Sequence, residues 1–373
     1  MQPTSESTSP LRSLGIVGWD EIELTIVSAM MARLTILFVG PHGSTKTDGA
    51  RALAGAVLGD RLKFSVYECP NVQTDDLVGI PNPYSLESGV VEFVGTQISV
   101  WNTNAVSLDE ITRAHPSVVS KLMELVRTKR VYGLPTSIEL VFATANPPSR
   151  DYIAHKLDLA VASRFVIVEV PAFHELSTED ARTVLSGSTL QGTWPWFSYP
   201  EVHGDTDLVM TLNALLMQHG VRLSGRQAKA LQSLLACSLV AAEHGCARTP
   251  RTLARLVLAC IPEASGLCTA QVDRNQVMMA VETFFEQRML LELPPASDWP
   301  AYFAALTSRI QACASTLDAQ LLLDQLPVLR STTGRDEDIQ RLLVGMVPAV
   351  LRYPPSHLSL KALPDLLRDI FAC

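Results

Sequence analysis

The sequence holds seven cysteines without a single C-x-x-C pair, and eight histidines without an H-E-x-x-H motif or a Cys/His cluster. A dedicated structural metal site is thereby left without its usual ligand spacing. Cys237 and Cys260 sit in apolar helical stretches and read as reduced core thiols. No G-x-S-x-G elbow occurs, so serine-hydrolase chemistry lacks its local sign. No window reaches the roughly 18 uninterrupted apolar residues of a membrane span. Residues 1–10 are rich in Ser, Thr and Pro and have neither a basic start nor an apolar segment, which excludes a secretory signal of ordinary form. Positive charge is also short: 30 Lys and Arg face 38 Asp and Glu, and a net charge of -8 argues against bulk attraction to nucleic acid. These absences predict a cytoplasmic globular protein, and 373 residues suffice for two or three domains.

What is present is organised around Gly40-Pro41-His42-Gly43-Ser44-Thr45-Lys46-Thr47, directly after the apolar run Leu34 to Val39. A buried strand emptying into a Gly-containing loop and then into a helical stretch, Thr47 to Leu58, is the layout of a phosphate-binding loop. Backbone N–H groups converge there at the positive end of a helix dipole. Lys46 supplies a mobile charge for phosphates and Thr47 a hydroxyl for Mg²⁺. The pattern G-x-x-x-x-G-K-[ST] is met except at Thr45, which stands where a second Gly is expected.

Further strand-like runs follow at 62–66, 105–108, 138–143 and 165–170, separated by helical patterns. Short apolar strands alternating with helices predict an α/β fold with a parallel sheet covered on both faces. In such sheets ligands gather beyond the strands' carboxyl ends, where this sequence places its polar residues. Beyond Pro171 the strand signal fades, and an aromatic loop with Trp194, Trp196, Phe197 and Tyr199 leads into a helical region. Leu231, Leu234, Leu235 and Leu239 are expected on one helix face, as are Ile339, Leu342, Leu343 and Met346. A Pro-rich break spans 293–300. The expected division is a disordered tail, 1–12, an α/β domain, 13–175, a helical lid, 176–290, and a C-terminal helical region, 291–373. The aromatic loop has two readings, a partner-docking surface and, the favoured one, packing of the lid against the α/β domain.

Asp109-Glu110 closes the third strand: the first carboxylate suits a Mg²⁺ shell, and the second can orient and deprotonate water. Asn146, at the end of the next strand, suits polarising the same water. Arg164, just before the last strand, is placed to stabilise charge on a phosphate held by a neighbouring subunit. Arg226, opening a lid helix, is expected at the phosphate within its own subunit.

Taken together, Gly40-x-x-Gly43-x-x-Lys46-Thr47, Asp109-Glu110-Ile111-Thr112-Arg113-Ala114, Ala143-Thr144-Ala145-Asn146-Pro147 and Ser163-Arg164-Phe165 resemble AAA+ ATPases of the MoxR type. Ile16-Val17-Gly18 and Asp75-Asp76-Leu77-Val78-Gly79 add to the likeness, which spans about residues 14–288. In that family a small residue commonly precedes the Lys, so Thr45 fits the pattern. Thr112 departs from it, Asn being usual there. The resemblance implies an ATP hydrolase with Mg²⁺, in which Lys46 and Thr47 are the Walker A pair, Asp109 and Glu110 the Walker B pair, Asn146 sensor 1, Arg164 the arginine finger and Arg226 sensor 2. Val17 and Gly18 join Gly40 to Thr47 in holding nucleotide. It further implies a ring, usually a hexamer, a hairpin at Arg130 to Pro135, an insertion near Asp76 to Gln97, and a chaperone-like role on a partner with a von Willebrand A-type domain. The sequence leaves two other readings open, a nucleotide-gated scaffold or filament with slow hydrolysis and a nucleic-acid motor.

Overall fold

The computed structural model describes residues 9–89, 92–147, 156–187, 190–269, 272–289, 299–312 and 336–350, with Leu322, Gln325 and Leu329. The chain divides into two compact units, Met1–Phe285 and Glu286–Cys373. Among the described residues, no helix is long and apolar enough to cross a membrane.

The first unit opens with α1 (Pro10–Ser13) and α2 (Asp20–Met31), then runs β1 (Ile36–Val39), α3 (Lys46–Leu58) and β2 (Phe64–Glu68). Next come α4 (Thr74–Val78), β3 (Ile80–Pro81), α5 (Pro83–Leu86), β4 (Phe93–Val94), β5 (Ala105–Asp109) and α6 (Pro116–Thr128). A hairpin of β6 (Arg130–Val131) and β7 (Leu134–Pro135) precedes β8 (Leu140–Ala145), α7 (Leu159–Ala162) and β9 (Val166–Glu169). The helices α8 (Thr178–Leu185), α9 (Thr206–Gln218), α10 (Gly225–Glu243), α11 (Pro250–Leu258) and α12 (Arg274–Met289) follow.

The five expected strands form one parallel sheet in the order β2-β5-β8-β1-β9. The central β1 and β8 are buried at every position, as near-continuous apolar runs require when helices cover both faces. Register then aligns the site. Leu108 pairs with Ala143 and Val39 with Ala145, so Asp109, Thr144, Gly40 and Asn146 all emerge at the same edge of the sheet. On one face lies α2, whose residues from Ile22 to Met31 are all buried, with α10 and α11 packed against it.

Two expectations on order and burial are corrected. The tail ends earlier than residue 12: Ser9 caps a short helix, and Leu11 is buried, its N–H donating to Glu23 Oε1 at 2.7 Å. The carboxylate of Glu23 is itself buried, and that burial raises its pKa against the opposing hydrogen bond from Ser9. Leu231, Leu234 and Leu235 are buried as expected, but Leu239 is exposed, because it lies about 80° around the helix from Leu231, at the rim of the apolar stripe.

The aromatic loop packs as expected. Trp194 is buried; its N–H donates to Ala56 O at 2.8 Å and its indole Nε1 to Pro10 O at 3.2 Å. Trp196 stacks on His244 at the end of α10, and the Arg33 guanidinium lies over the Tyr199 ring. The loop thus ties α3, the N-terminal segment and α10 together.

The second unit contains α13 (Trp299–Ala312) and α14 (Asp336–Val350). Leu306, Leu342, Leu343 and Met346 are buried and Ile339 is half-buried, in line with the helical spacing. A Cβ on Gly345 would lie 3.2 Å from Ile310, so the two helices approach closely there. The break expected at 293–300 falls outside the described residues up to residue 298.

Candidate functional site

The loop after β1 has three special positions. At Gly40, a Cβ would meet Ser44 Oγ at 2.9 Å and Val170 O at 3.0 Å, so close packing selects Gly. At Gly43 space is open, but φ is +78°, a region Gly enters without penalty. Thr45 adopts φ +55° just before α3, a left-handed conformation that a β-branched residue rarely takes.

Lys46 begins α3 and is buried. Its Nζ donates to Gly40 O at 2.8 Å and Pro41 O at 2.7 Å, and lies 3.3 Å from Ser44 Oγ and 3.4 Å from Asn146 Oδ1. Burial lowers the pKa of its ammonium, and the nearby Asp109 and Glu110 carboxylates oppose that shift. His42 is exposed on the loop.

Thr47 Oγ1 donates to Asp109 Oδ1 at 3.0 Å, and Thr144 Oγ1 donates to the same oxygen. Glu110 leaves β5 at φ +52°, and its N–H donates to Thr144 Oγ1 at 3.0 Å. Its carboxylate accepts from Arg113 Nη1 at 2.6 Å and from Asn146 Nδ2 at 3.4 Å. Thr144 was not expected to act here. Its signal was a hydroxyl inside an otherwise apolar buried strand, next to the polar end that carries Asn146.

Among the described residues, no group of three or more His, Cys, Asp or Glu is arranged to hold a metal. One hydroxyl and one carboxylate in contact is instead the donor set that suits Mg²⁺ arriving with phosphate oxygens and water. The residues present fit Mg²⁺ and a polyphosphate.

Val17 lines a cavity of about 610 Å³ together with Thr45, Asp48, Val184 and residues 190–193. Its size suits a nucleoside beside the loop. Gly18 turns the chain at φ +76°, where a Cβ would lie 2.3 Å from Leu176, and lines a separate cavity with Leu176 and Asp180.

The two arginines stand together at the other end of the sheet. Arg226 Nη1 donates to Ser163 Oγ at 3.4 Å, and Arg226 is among the charges acting on Arg164. Val166 pairs with Ile36; Arg164 precedes that level by two residues and Gly40 follows it by four. At about 3.3 Å per residue, Arg164 is roughly 20 Å from the phosphate loop. The expectation that Arg226 reaches the phosphate of its own subunit is therefore corrected. Packing of α10 places it beside Arg164 and away from Lys46. Burial lowers the Arg164 pKa, and Arg226 and Arg127 lower it further.

Residues 35–165 match the family model of the AAA domain, dynein-related subfamily. That segment is thus similar to an AAA domain, and Lys46, Thr47, Asp109, Glu110, Asn146 and Arg164 all lie within it. Among solved structures, the chain is similar to a protein from Cytophaga hutchinsonii designated a candidate ATPase. That match has 17% identity and a TM-score of 0.50, and covers 72% of this chain and 90% of the other. At that identity the likeness establishes the AAA+ fold. A full-length MCM homologue from Methanopyrus kandleri matches at 12% identity with a TM-score of 0.44, over 68% of this chain and 57% of that one. The Hsp104–ADP complex of S. cerevisiae matches at 15% identity with a TM-score of 0.33, over 47% and 37%. The latter two likenesses are too slight to define a fold. No curated protein matches the chain.

Proposed function

We propose that the chain is an ATP hydrolase of the MoxR type that assembles with copies of itself and couples Mg·ATP turnover to remodelling a partner protein. The observation that carries the reading is the contact chain at one sheet edge: Lys46 to Asn146, Asn146 to Glu110, and Thr47 to Asp109. Loop N–H groups and Lys46 bind the β- and γ-phosphates, and Thr47 and Asp109 hold Mg²⁺, which when bound neutralises charge on the phosphate oxygens. Glu110 accepts the proton of the attacking water, and Asn146 fixes that water's direction. Arg164, too far from its own loop, serves the nucleotide of a neighbouring copy, which makes the active species an oligomer, a hexamer by the family's habit.

Exposed Ile80, Tyr84 and Val94 at a first hairpin, the antiparallel pair of β3 and β4, and Tyr132 and Leu134 in the second, that of β6 and β7, support a protein as the partner, since apolar surface favours such contacts. The resemblance points to a von Willebrand A-type domain on that partner and to a cytoplasmic setting. The test is turnover by Glu110→Gln. This variant retains nucleotide binding and loses hydrolysis by at least ~100-fold. Parent-like hydrolysis in Glu110→Gln removes the assigned base.

A further inference from the structure

Three guanidiniums converge on one face of the first unit from three separate elements: Arg127 ends α6, Arg164 follows α7, and Arg226 opens α10. Arg226 and Arg127 are the like charges acting on Arg164, with Asp158 opposing them. None of the three takes part in the ion pairs found among the described residues. Like-charged groups held together without counter-ions are costly unless an anion is meant to join them.

The surroundings support an incoming anion. Arg127 and Arg164 line one cavity of about 840 Å³, which Lys156 also lines. Its carboxylates are already engaged by backbone. Glu124 accepts from the N–H groups of Tyr132 at 2.9 Å and Gly133 at 2.8 Å, and Asp158 accepts from the N–H of Ala160 at 2.7 Å. Arg164 Nε is buried with no hydrogen-bond partner. The cavity therefore has spare donors and few spare acceptors.

We propose that Arg127 is the third arm, with Arg164 and Arg226, of a polyphosphate site that receives the nucleotide held on the Gly40–Thr47 loop of a second copy of this chain. The inference rests on the nucleotide-hydrolysing reading. Planar guanidinium forks match phosphate oxygens in geometry and charge. Charge complementarity selects the second copy as the source. Among the described residues, Lys46 is the cation bonded within the loop, and its charge neighbours are the carboxylates Asp109 and Glu110, so a triphosphate there gains from further positive charge. The arginine face carries more positive than negative charge, its Glu124 and Asp158 carboxylates being held by backbone N–H groups, and it lies too far along the sheet to serve its own loop.

The experiment uses the full chain and compares Arg127→Ala, Arg127→Lys and Lys46→Ala. Arg127 is exposed at a helix end, where Ala is a good helix former, so thermal melting of Arg127→Ala stays at the parent value. ATP turnover of Arg127→Ala is expected to fall at least ~10-fold, while affinity for a fluorescent ATP analogue, measured on dilute protein, stays within ~3-fold. Arg127→Lys is expected to recover part of the loss. Mixing Arg127→Ala with Lys46→Ala restores turnover, because a sound loop in one copy then meets a sound arginine face in the next. Turnover within ~2-fold of the parent for Arg127→Ala, or no recovery on mixing, overturns the proposal and leaves the parent's Lys46-dependent hydrolysis standing. A parent that does not hydrolyse ATP overturns the underlying reading as well. Equal binding of inorganic triphosphate by isolated copies, lost in Arg127→Ala and not accompanied by recovery on mixing, assigns the site to a free polyphosphate and overturns the second-copy assignment.

Discussion

Thr47 Oγ1 donates to Asp109 Oδ1 over 3.0 Å, joining the first turn of α3 to the last residue of β5. Asp109→Asn keeps an acceptor for that hydroxyl but removes the charge that draws a divalent cation. Affinity for ATP in the presence of a chelator is expected to stay within ~2-fold of the parent. The gain in affinity on adding Mg²⁺ is expected to shrink at least ~10-fold. Calorimetric titration with and without Mg²⁺ checks both. An unchanged Mg²⁺ effect excludes Asp109 from the metal shell.

Thr45 holds φ +55°, which costs a β-branched residue about 1–2 kcal/mol. Thr45→Gly relieves that strain and gives back about 0.5–1 kcal/mol in unfolded-chain entropy. A net stabilisation of up to ~1 kcal/mol is expected, visible as a rise of roughly 2–4 °C in Tm. A lower Tm would mean that the Thr45 side chain contributes more than its backbone strain takes away.

Much of this site was legible because its residues lie in strand ends and the loops directly after them. Apolar runs mark β1, β5 and β8, and a parallel sheet brings their carboxyl ends to one edge, so Gly40, Asp109 and Asn146 meet whatever the loops between them do. Arg226 was misplaced for the opposite reason. It belongs to a helix far along the chain, and only the packing of α10 on α2 determines which end of the sheet it faces. Thr144 stands in the segment Ala143 to Pro147 but has no role assigned by it, and Arg127 sits in no motif. One shows itself by a hydroxyl bonded to Asp109 and the other by its nearness to Arg164, both visible only once the chain is folded. The tail boundary failed locally, since a short Pro-led helix burying one Leu carries little periodic signal.

Trp194 joins the N-terminal segment to the body through its Nε1 bond to Pro10 O. Trp194→Ala removes a buried indole and is expected to cost about 3–5 kcal/mol. Residues 9–13 are also expected to become open to protease before the rest of the chain unfolds. Timed proteolysis with N-terminal sequencing checks the order of cleavage. Simultaneous loss of the whole chain contradicts it.

Lys129 directly follows α6, with its Nζ 3.5 Å from Thr35 Oγ1, and burial pushes its ammonium down to about 8. Between about 8 and the ordinary 10.5, the unfolded chain binds more protons than the folded one, so this residue makes stability rise with pH across that window. Lys129→Met is expected to stabilise the chain by about 1–2 kcal/mol at pH 7 and to flatten that rise. Urea midpoints of parent and variant at pH 7 and pH 10.5 check the sign. A larger gain for Lys129→Met at the higher pH contradicts it.

Phe93 of the first hairpin lies stacked on Tyr132 at the tip of the second, ring centroids 5.9 Å apart. The second hairpin is anchored in turn, since Glu124 of α6 accepts both N–H groups of its turn. The two hairpins are therefore mechanically a single crank. A load applied to either is delivered through one aromatic bearing to the C-terminal end of α6, where Arg127 lies one turn beyond Glu124.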